Sequence, residues 1–183
     1  VPIETIEEVI LVKGGAPITY AVKVVPHHGP IQPVIGDDHA VAALDPAKGA
    51  LSVRWTGLEE TRDFTAILGL LRAKDVDEAR AALADFDVGA QSWMLADTSG
   101  HILWTSHALV PIRDPRAFAW DASIYEGTIP CGVLPGDGTA EWKGFLDDDT
   151  VPWAKDAEAG FLATANNDLV GDTIDNDPTN DAL

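Results

Sequence analysis

The sequence predicts an α+β fold, mostly antiparallel strands with a helical pair covering one face. Three observations carry this. Two β-branched runs near the N-terminus flank the turn Lys13-Gly14-Gly15-Ala16-Pro17. The apolar period changes from strand-like to helical at Thr61. A second pair of strand-like runs then flanks Asp97-Thr98-Ser99-Gly100. The 183 residues, 46% hydrophobic, suffice for one domain with a real core, and residues 1–183 are read as a single domain.

The first element is a β-hairpin formed by 5–12 and 18–25, with Ile18, Tyr20, Val22 and Val24 on one face. Pro26-His27-His28-Gly29-Pro30 follows. Adjacent histidines on an extended chain point opposite ways and reach a single metal poorly, so this segment reads as a turn. Short strands are expected at Ile31–Ile35, Ala40–Leu44 and Ala50–Trp55. A helix capped by Thr61 should bury Phe64, Ile67, Leu68 and Leu71. In a second helix, Asp75 and Glu78 have capping-box spacing, and Val76, Ala79, Leu83 and Phe86 share a core face.

The second hairpin pairs 91–96 with 101–106. Val110-Pro111-Ile112-Arg113 follows, and 114–160 is rich in Pro and Gly, the composition of a functional rim. Within it, Glu141-Trp142-Lys143-Gly144-Phe145 reads as an anchor onto the core. The apolar run from Gly160 to Ala165 reads as a strand ending at Asn166-Asn167. An amide at a strand mouth can aim its NH2 at a carbonyl oxygen that becomes negative, as acyl-transfer transition states require. The other reading of Asn-Asn-Asp is ordinary turn chemistry.

The formal net charge of -18 argues against nucleic acid, which needs a basic footprint, and against anionic membrane surfaces. No apolar run reaches the ~18 residues of a membrane span. The start Val-Pro-Ile-Glu lacks the pattern of a signal peptide. One cysteine, Cys131, excludes an internal disulfide and four-cysteine metal sites. There is no Gly-x-Ser-x-Gly elbow, no His-Glu-x-x-His and no phosphate loop. Asp175-Asn176-Asp177 and Asp181 approach the spacing of a calcium loop but lack its glycine and terminal glutamate, so they read as solvated aspartates.

Several segments, in order, resemble the β-subunit of the penicillin acylase family, within the N-terminal nucleophile hydrolases. They are the hairpin Glu7–Val25 before His28-Gly29-Pro30, Leu51-Ser52-Val53-Arg54-Trp55-Thr56-Gly57-Leu58, and Ala90-Gln91-Ser92-Trp93-Met94-Leu95-Ala96-Asp97 with Gly100 and Ile102. Leu134-Pro135-Gly136, Glu141-Trp142-Lys143-Gly144 and Ala163-Thr164-Ala165-Asn166-Asn167 continue the series. The resemblance implies a fragment of an αββα sandwich in an enzyme that cleaves acyl groups from β-lactams, acyl-homoserine lactones or acylated peptides. The family's nucleophile is an N-terminal Ser whose own α-amino group acts as base.

By the same resemblance Asn166 is the side-chain oxyanion donor, Asn167 buttresses the turn, and Gln91 falls in the acyl pocket. Calcium is implied as a structural cofactor, held in part by the Pro130 carbonyl and by Asp172, with Asp177 the second choice. The implied partners are the remaining parts of the acylase α- and β-subunits and a small acylated amide. The implied location is periplasmic or secreted. Residue 1 is Val, so the chain is expected to be an interior piece of a β-subunit, inactive alone. Such a piece should expose apolar surface and could dimerise or pair strand edges. Two alternatives stand beside this reading: a non-catalytic binding or scaffold domain of acylase-like shape, and an unrelated acidic α+β domain.

Overall fold

A computed structural model describes every residue except Asp38, His39, Pro46, Ala122, Cys131 and 166–183. The chain forms two compact units. One comprises Val1–Leu58 with Gly136–Gly138, the other Glu59–Pro135 with Thr139–Leu183.

In the first unit, β1 (Glu4–Ile10) and β2 (Ile18–Val25) form the expected antiparallel hairpin. The register sets Ile6 opposite Val22 and Ile10 opposite Ile18, so the β-branched residues share one face. That face is open: Ile6, Ile10, Ile18 and Tyr20 are all exposed. A turn over 26–28, closed by the His28 amide donating to the Val25 carbonyl (2.9 Å), leads to β3 (Gly29–Pro30) beside β2. The paired histidines thus sit in a turn, as their spacing predicts.

Strands were expected over Ile31–Ile35, Ala40–Leu44 and Ala50–Trp55. Among the described residues only the isolated bridges Ile31–Ser52 and Ile35–Val41 form. Pro30 and Pro33 donate no backbone hydrogen bond, which prevents a continuous ladder.

Gly29 has a specific task here. Its φ is +152°, and a Cβ at that position would lie 2.1 Å from the Val53 carbonyl oxygen. Only a residue without a side chain lets the Pro30 segment pass this close to Val53, whose amide donates to the Pro30 carbonyl (3.0 Å). Gly29→Ala is expected to lower stability by about 1–3 kcal/mol, measured as a shift in the urea midpoint. An unchanged midpoint would contradict this packing.

In the second unit, α1 (Asp63–Leu70) and α2 (Val76–Leu83) lie side by side before a sheet of β4 (Gln91–Ala96), β5 (Ile102–His107) and β10 (Trp153–Lys155), in the order β10-β5-β4. Smaller pairs are β6 (Pro111–Ile112) with β9 (Gly144–Phe145), and β7 (Trp120–Asp121) with β8 (Glu126–Gly127). The segment expected to anchor onto the core pairs with a short strand instead, and none of residues 141–145 is buried. Gly144-Phe145 pairs with β6, and the Lys143 amide donates to the Ile112 carbonyl (2.8 Å).

The α2 start is a variant of the predicted capping box. Asp75 accepts from the Glu78 amide (2.8 Å), while the Glu78 carboxylate reaches back to the Lys74 amide (2.9 Å). Val76, Ala79 and Leu83 are buried as expected, together with Leu103 and Thr105 of β5. Phe86 is half-buried and meets Trp93 edge-on at 5.3 Å.

Two expectations for α1 are corrected. Arg62, not Thr61, occupies the cap position and makes no side-chain cap bond; the start is held instead by Asp87 accepting from the Arg62 amide (2.7 Å). The apolar stripe is not core: Phe64 is 88% exposed and Leu71 79%, and Ile67 and Leu68 are exposed too. The helix turns Ala66 inward instead. Gly69 allows the close approach, since a Cβ there would lie 2.7 Å from Ala82 Cβ of α2.

The run 160–165 is a further correction. Residues 161–165 form no regular strand, although Leu162 and Thr164 are half-buried alternately. No neighbouring strand among the described residues pairs with them, so extended backbone there lacks a ladder.

Candidate functional site

Asn166, Asn167, Asp172, Asp175, Asn176, Asp177, Asp181 and Cys131 lie outside the described residues. What the structure describes is the surroundings. Residues 161–165, which lead to Asn166, run irregularly from Gly160, whose amide closes a turn onto Ala157 (2.8 Å).

Gln91, itself exposed, opens β4, and its amide nitrogen donates to the Gly89 carbonyl (2.9 Å). Pro130 is buried in a turn where the Gly132 amide donates to the Ile129 carbonyl (3.0 Å). A proline carbonyl is a hard oxygen of the type calcium takes, but calcium needs six to eight such oxygens. Among the described residues no group of three or more His, Cys, Asp or Glu could hold a metal. Pro130 is therefore compatible with a calcium site without defining one.

An open cleft of about 730 Å3 runs between the α1–α2 turn and β4, lined by Leu70, Val76, Ala79, Trp93 and Leu95 among others. Asp97 and Lys74 stand at its rim. Asp97 is engaged structurally: its carboxylate accepts from the amides of Ser99 (2.8 Å), His101 (3.2 Å) and Val76 (3.4 Å). Burial pushes its pKa up, and these bonds outweigh it to leave a net lowering.

Two histidines pair with carboxylates. His101 Nδ1 meets Asp156 Oδ2 at 2.7 Å, on the surface. His107 is buried, with Nδ1 donating to the Phe86 carbonyl (2.8 Å) and Nε2 against Asp148. Each pair ties the second hairpin to a later part of the chain. Neither has a serine, threonine or cysteine nucleophile bonded to it among the described residues.

Asp114, 5% exposed, is densely bonded. It accepts from Arg116 Nε (2.7 Å), Arg116 Nη2 (2.9 Å) and the Arg116 amide (3.0 Å), with Lys143 Nζ at 3.1 Å. The Arg116 guanidinium, first of all, holds its pKa far below the usual carboxylate range. Asp121, through Ser123, and Asp156, through the Ile102 amide, are lowered as well.

Each of these groups binds protons less readily folded than unfolded. The stability they contribute is present above the unfolded aspartate pKa of about 3.9 and is lost as pH falls through the folded values. The urea midpoint should therefore hold from about pH 7 to about pH 5 and then fall steeply in acid, with Asp114→Asn flattening the acid limb. Superimposable acid limbs for the two proteins would refute this assignment.

The sequence model of the penicillin amidase family matches residues 1–182. An acyl-homoserine lactone acylase, QuiP, from Pseudomonas fluorescens is 29% identical over 170 residues, spanning 92% of this chain and 19% of that protein. A penicillin acylase 2 proenzyme from a Pseudomonas species is 30% identical over 166 residues, spanning 89% of this chain and 18% of that protein. The structure of a thermostable penicillin G acylase from Alcaligenes faecalis superposes with a TM-score of 0.68 at 24% identity, over 91% of this chain and 26% of that one. The chain thus spans about a fifth of the length of the curated relatives it matches.

Proposed function

The chain belongs to the penicillin amidase family, and on that premise we propose that it is part of an amide hydrolase that removes acyl groups from an amine. The substrate class is an acylated β-lactam nucleus, an acyl-homoserine lactone or an acylated peptide. The observation that carries this reading is the match to the family over residues 1–182, on a chain whose antiparallel sheets and two helices superpose on an acylase.

In this reading Asn166 turns its side-chain NH2 toward the oxygen that becomes negative when a nucleophile adds to the amide carbonyl. The carbon–nitrogen bond then breaks, the amine leaves with a proton from the general base, and water releases the acyl group from the nucleophile. The nucleophile comes from another part of the acylase, which is the main partner. Gln91, at the start of β4, contributes to the acyl pocket. Calcium, held in part by the Pro130 carbonyl and Asp172, would clamp loops rather than take part in bond breaking. The location that fits is periplasmic or secreted. Among the described residues no helix is long and apolar enough to cross a membrane.

The test is to assay the product of the whole gene for amine release from penicillin G and from an N-acyl-homoserine lactone. Turnover of either, with one equivalent of amine released in a burst, is expected. A well-folded product that cleaves neither, and no other acylated amine, would leave the scaffold reading in place.

A further inference from the structure

We infer that His101 and His107 are positioning residues: paired with Asp156 and Asp148, they clamp the two ends of β10 onto β5 and fix the start of the segment that leads to Asn166, and the His107 clamp closes only while a proton sits between its Nε2 and Asp148. The role at Asn166 rests on the proposed function. The clamps themselves rest on geometry.

β10 needs outside help. It is three residues long, follows Pro152 and lies at the sheet edge. Its ladder is thin. The Asp156 amide donates to the Ile102 carbonyl (2.9 Å) and the Ser106 amide to the Pro152 carbonyl (3.4 Å), so the Ala154 amide, between them in the alternation, faces the Trp104 carbonyl. A strand this short frays unless something holds it. Asp148 precedes it, in the 3-10 turn Asp148–Thr150, and reaches His107 at the end of β5. Asp156 follows it and reaches His101, just before β5 (2.7 Å), while its other oxygen accepts from the Ile102 amide (2.9 Å). Asp156 lies ten positions before Asn166, so the second clamp is where the chain toward that residue leaves the sheet.

The two histidines differ in what their rings are committed to. His107 Nδ1 faces the Phe86 carbonyl (2.8 Å), which only accepts, so Nδ1 carries a hydrogen. A neutral ring would then turn a bare lone pair at Nε2 toward the Asp148 carboxylate, another acceptor. The pair bonds only with one further proton between the two groups. His101 has no such commitment. Its neutral ring can keep the hydrogen on Nδ1 and still donate to Asp156. His101 is therefore a constant clamp near neutral pH, and His107 a proton-dependent one.

The charged surroundings are specific. Near His107 and Asp148 stand Arg80 of α2, which donates to the Asp148 carbonyl (3.3 Å) and lies over the Trp153 ring (4.7 Å), Asp149 in the 3-10 turn, and Asp87, which follows Phe86 and accepts from the Arg62 amide (2.7 Å). Gln91, opposite His107 on β4, is uncharged. Near His101 stand Asp97, whose carboxylate accepts from the His101 amide (3.2 Å), and Lys155, paired with Asp77 (2.7 Å).

The test follows amide exchange at Ala154 and Asp156, corrected for intrinsic rates, in the full-length product of the gene from about pH 6 to about pH 8, where histidine titrates. Protection should fall about tenfold or more as pH rises, the weight of one charge-assisted bond. Asp148→Asn should reverse the trend, because its NH2 donates to the bare Nε2 of a neutral ring. His107→Gln, a permanent donor to Asp148, should hold protection level. A flat wild-type profile, or a wild-type trend retained in either variant, overturns the proton-dependent clamp. His101→Ala should lower protection by a similar factor at every pH, and unchanged protection overturns the second clamp. For the role at Asn166, the ratio of wild-type kcat to that of Asp148→Asn should fall about tenfold over the same range with KM unchanged. A constant ratio beside the expected exchange overturns that role. The expected exchange in a protein that turns over no acylated amine overturns the proposed function and leaves the clamps standing.

Discussion

If the proposed function holds, replacing Asn166 by alanine in the full-length protein is expected to lower kcat by about 10²–10³-fold, the loss seen when one side-chain oxyanion donor is removed, or about 2.7–4 kcal/mol. The size follows from where the charge appears. The substrate carbonyl is nearly neutral in the ground state and gains a full charge only as the tetrahedral intermediate forms. A donor aimed at that oxygen therefore acts mainly on the transition state, and kcat and kcat/KM should fall together while KM stays put. Asn166→Asp should be at least as damaging, because a carboxylate repels the oxyanion. The same experiment separates the two readings of Asn166-Asn167. A turn residue lost at position 166 would lower the amount of folded enzyme while leaving kcat per folded molecule unchanged. That outcome would remove Asn166 from the site. Asn167→Ala should show the turn-like pattern.

The sequence was most informative where local chemistry alone decides structure. Both hairpins form where the sequence places them, because two strand-like runs close in the chain flank a Gly-bearing turn. The capping arrangement of Asp75 and Glu78 appears for the same reason. What it misjudged depends on partners far along the chain. β10 is three residues long, too short for any periodicity, and exists because Trp153–Lys155 meets β5. Among the described residues the expected strands between Ile31 and Trp55 dwindle to two bridges, and in the first of them Pro33 lacks the donor a ladder needs. The candidate site was legible only through resemblance. An amide at a strand mouth and a proline carbonyl carry no local pattern that separates them from ordinary turns.

Leu83→Ala is expected to cost about 2–5 kcal/mol, and Leu71→Ala, in the isolated chain, less than about 0.5 kcal/mol. Both leucines sit on apolar helical stripes in the sequence, so periodicity ranks them alike. The structure separates them: Leu83 is fully buried, and Leu71 is 79% exposed. Truncating Leu83 removes its transfer free energy and leaves a cavity lined by side chains that relax only in part. Set against a typical stability of about 5–15 kcal/mol, that loss should visibly shift the urea midpoint. Truncating Leu71 uncovers nothing that water did not already reach. The comparison becomes sharper in the full-length product. If the exposed stripe of Phe64, Ile67, Leu68 and Leu71 is covered there, Leu71→Ala should rise toward the cost of Leu83→Ala. If it stays near zero, the stripe is solvent-facing in the assembled protein too, and its periodicity has no packing partner. Equal costs for the two leucines in the isolated chain would contradict the placement of α1 itself.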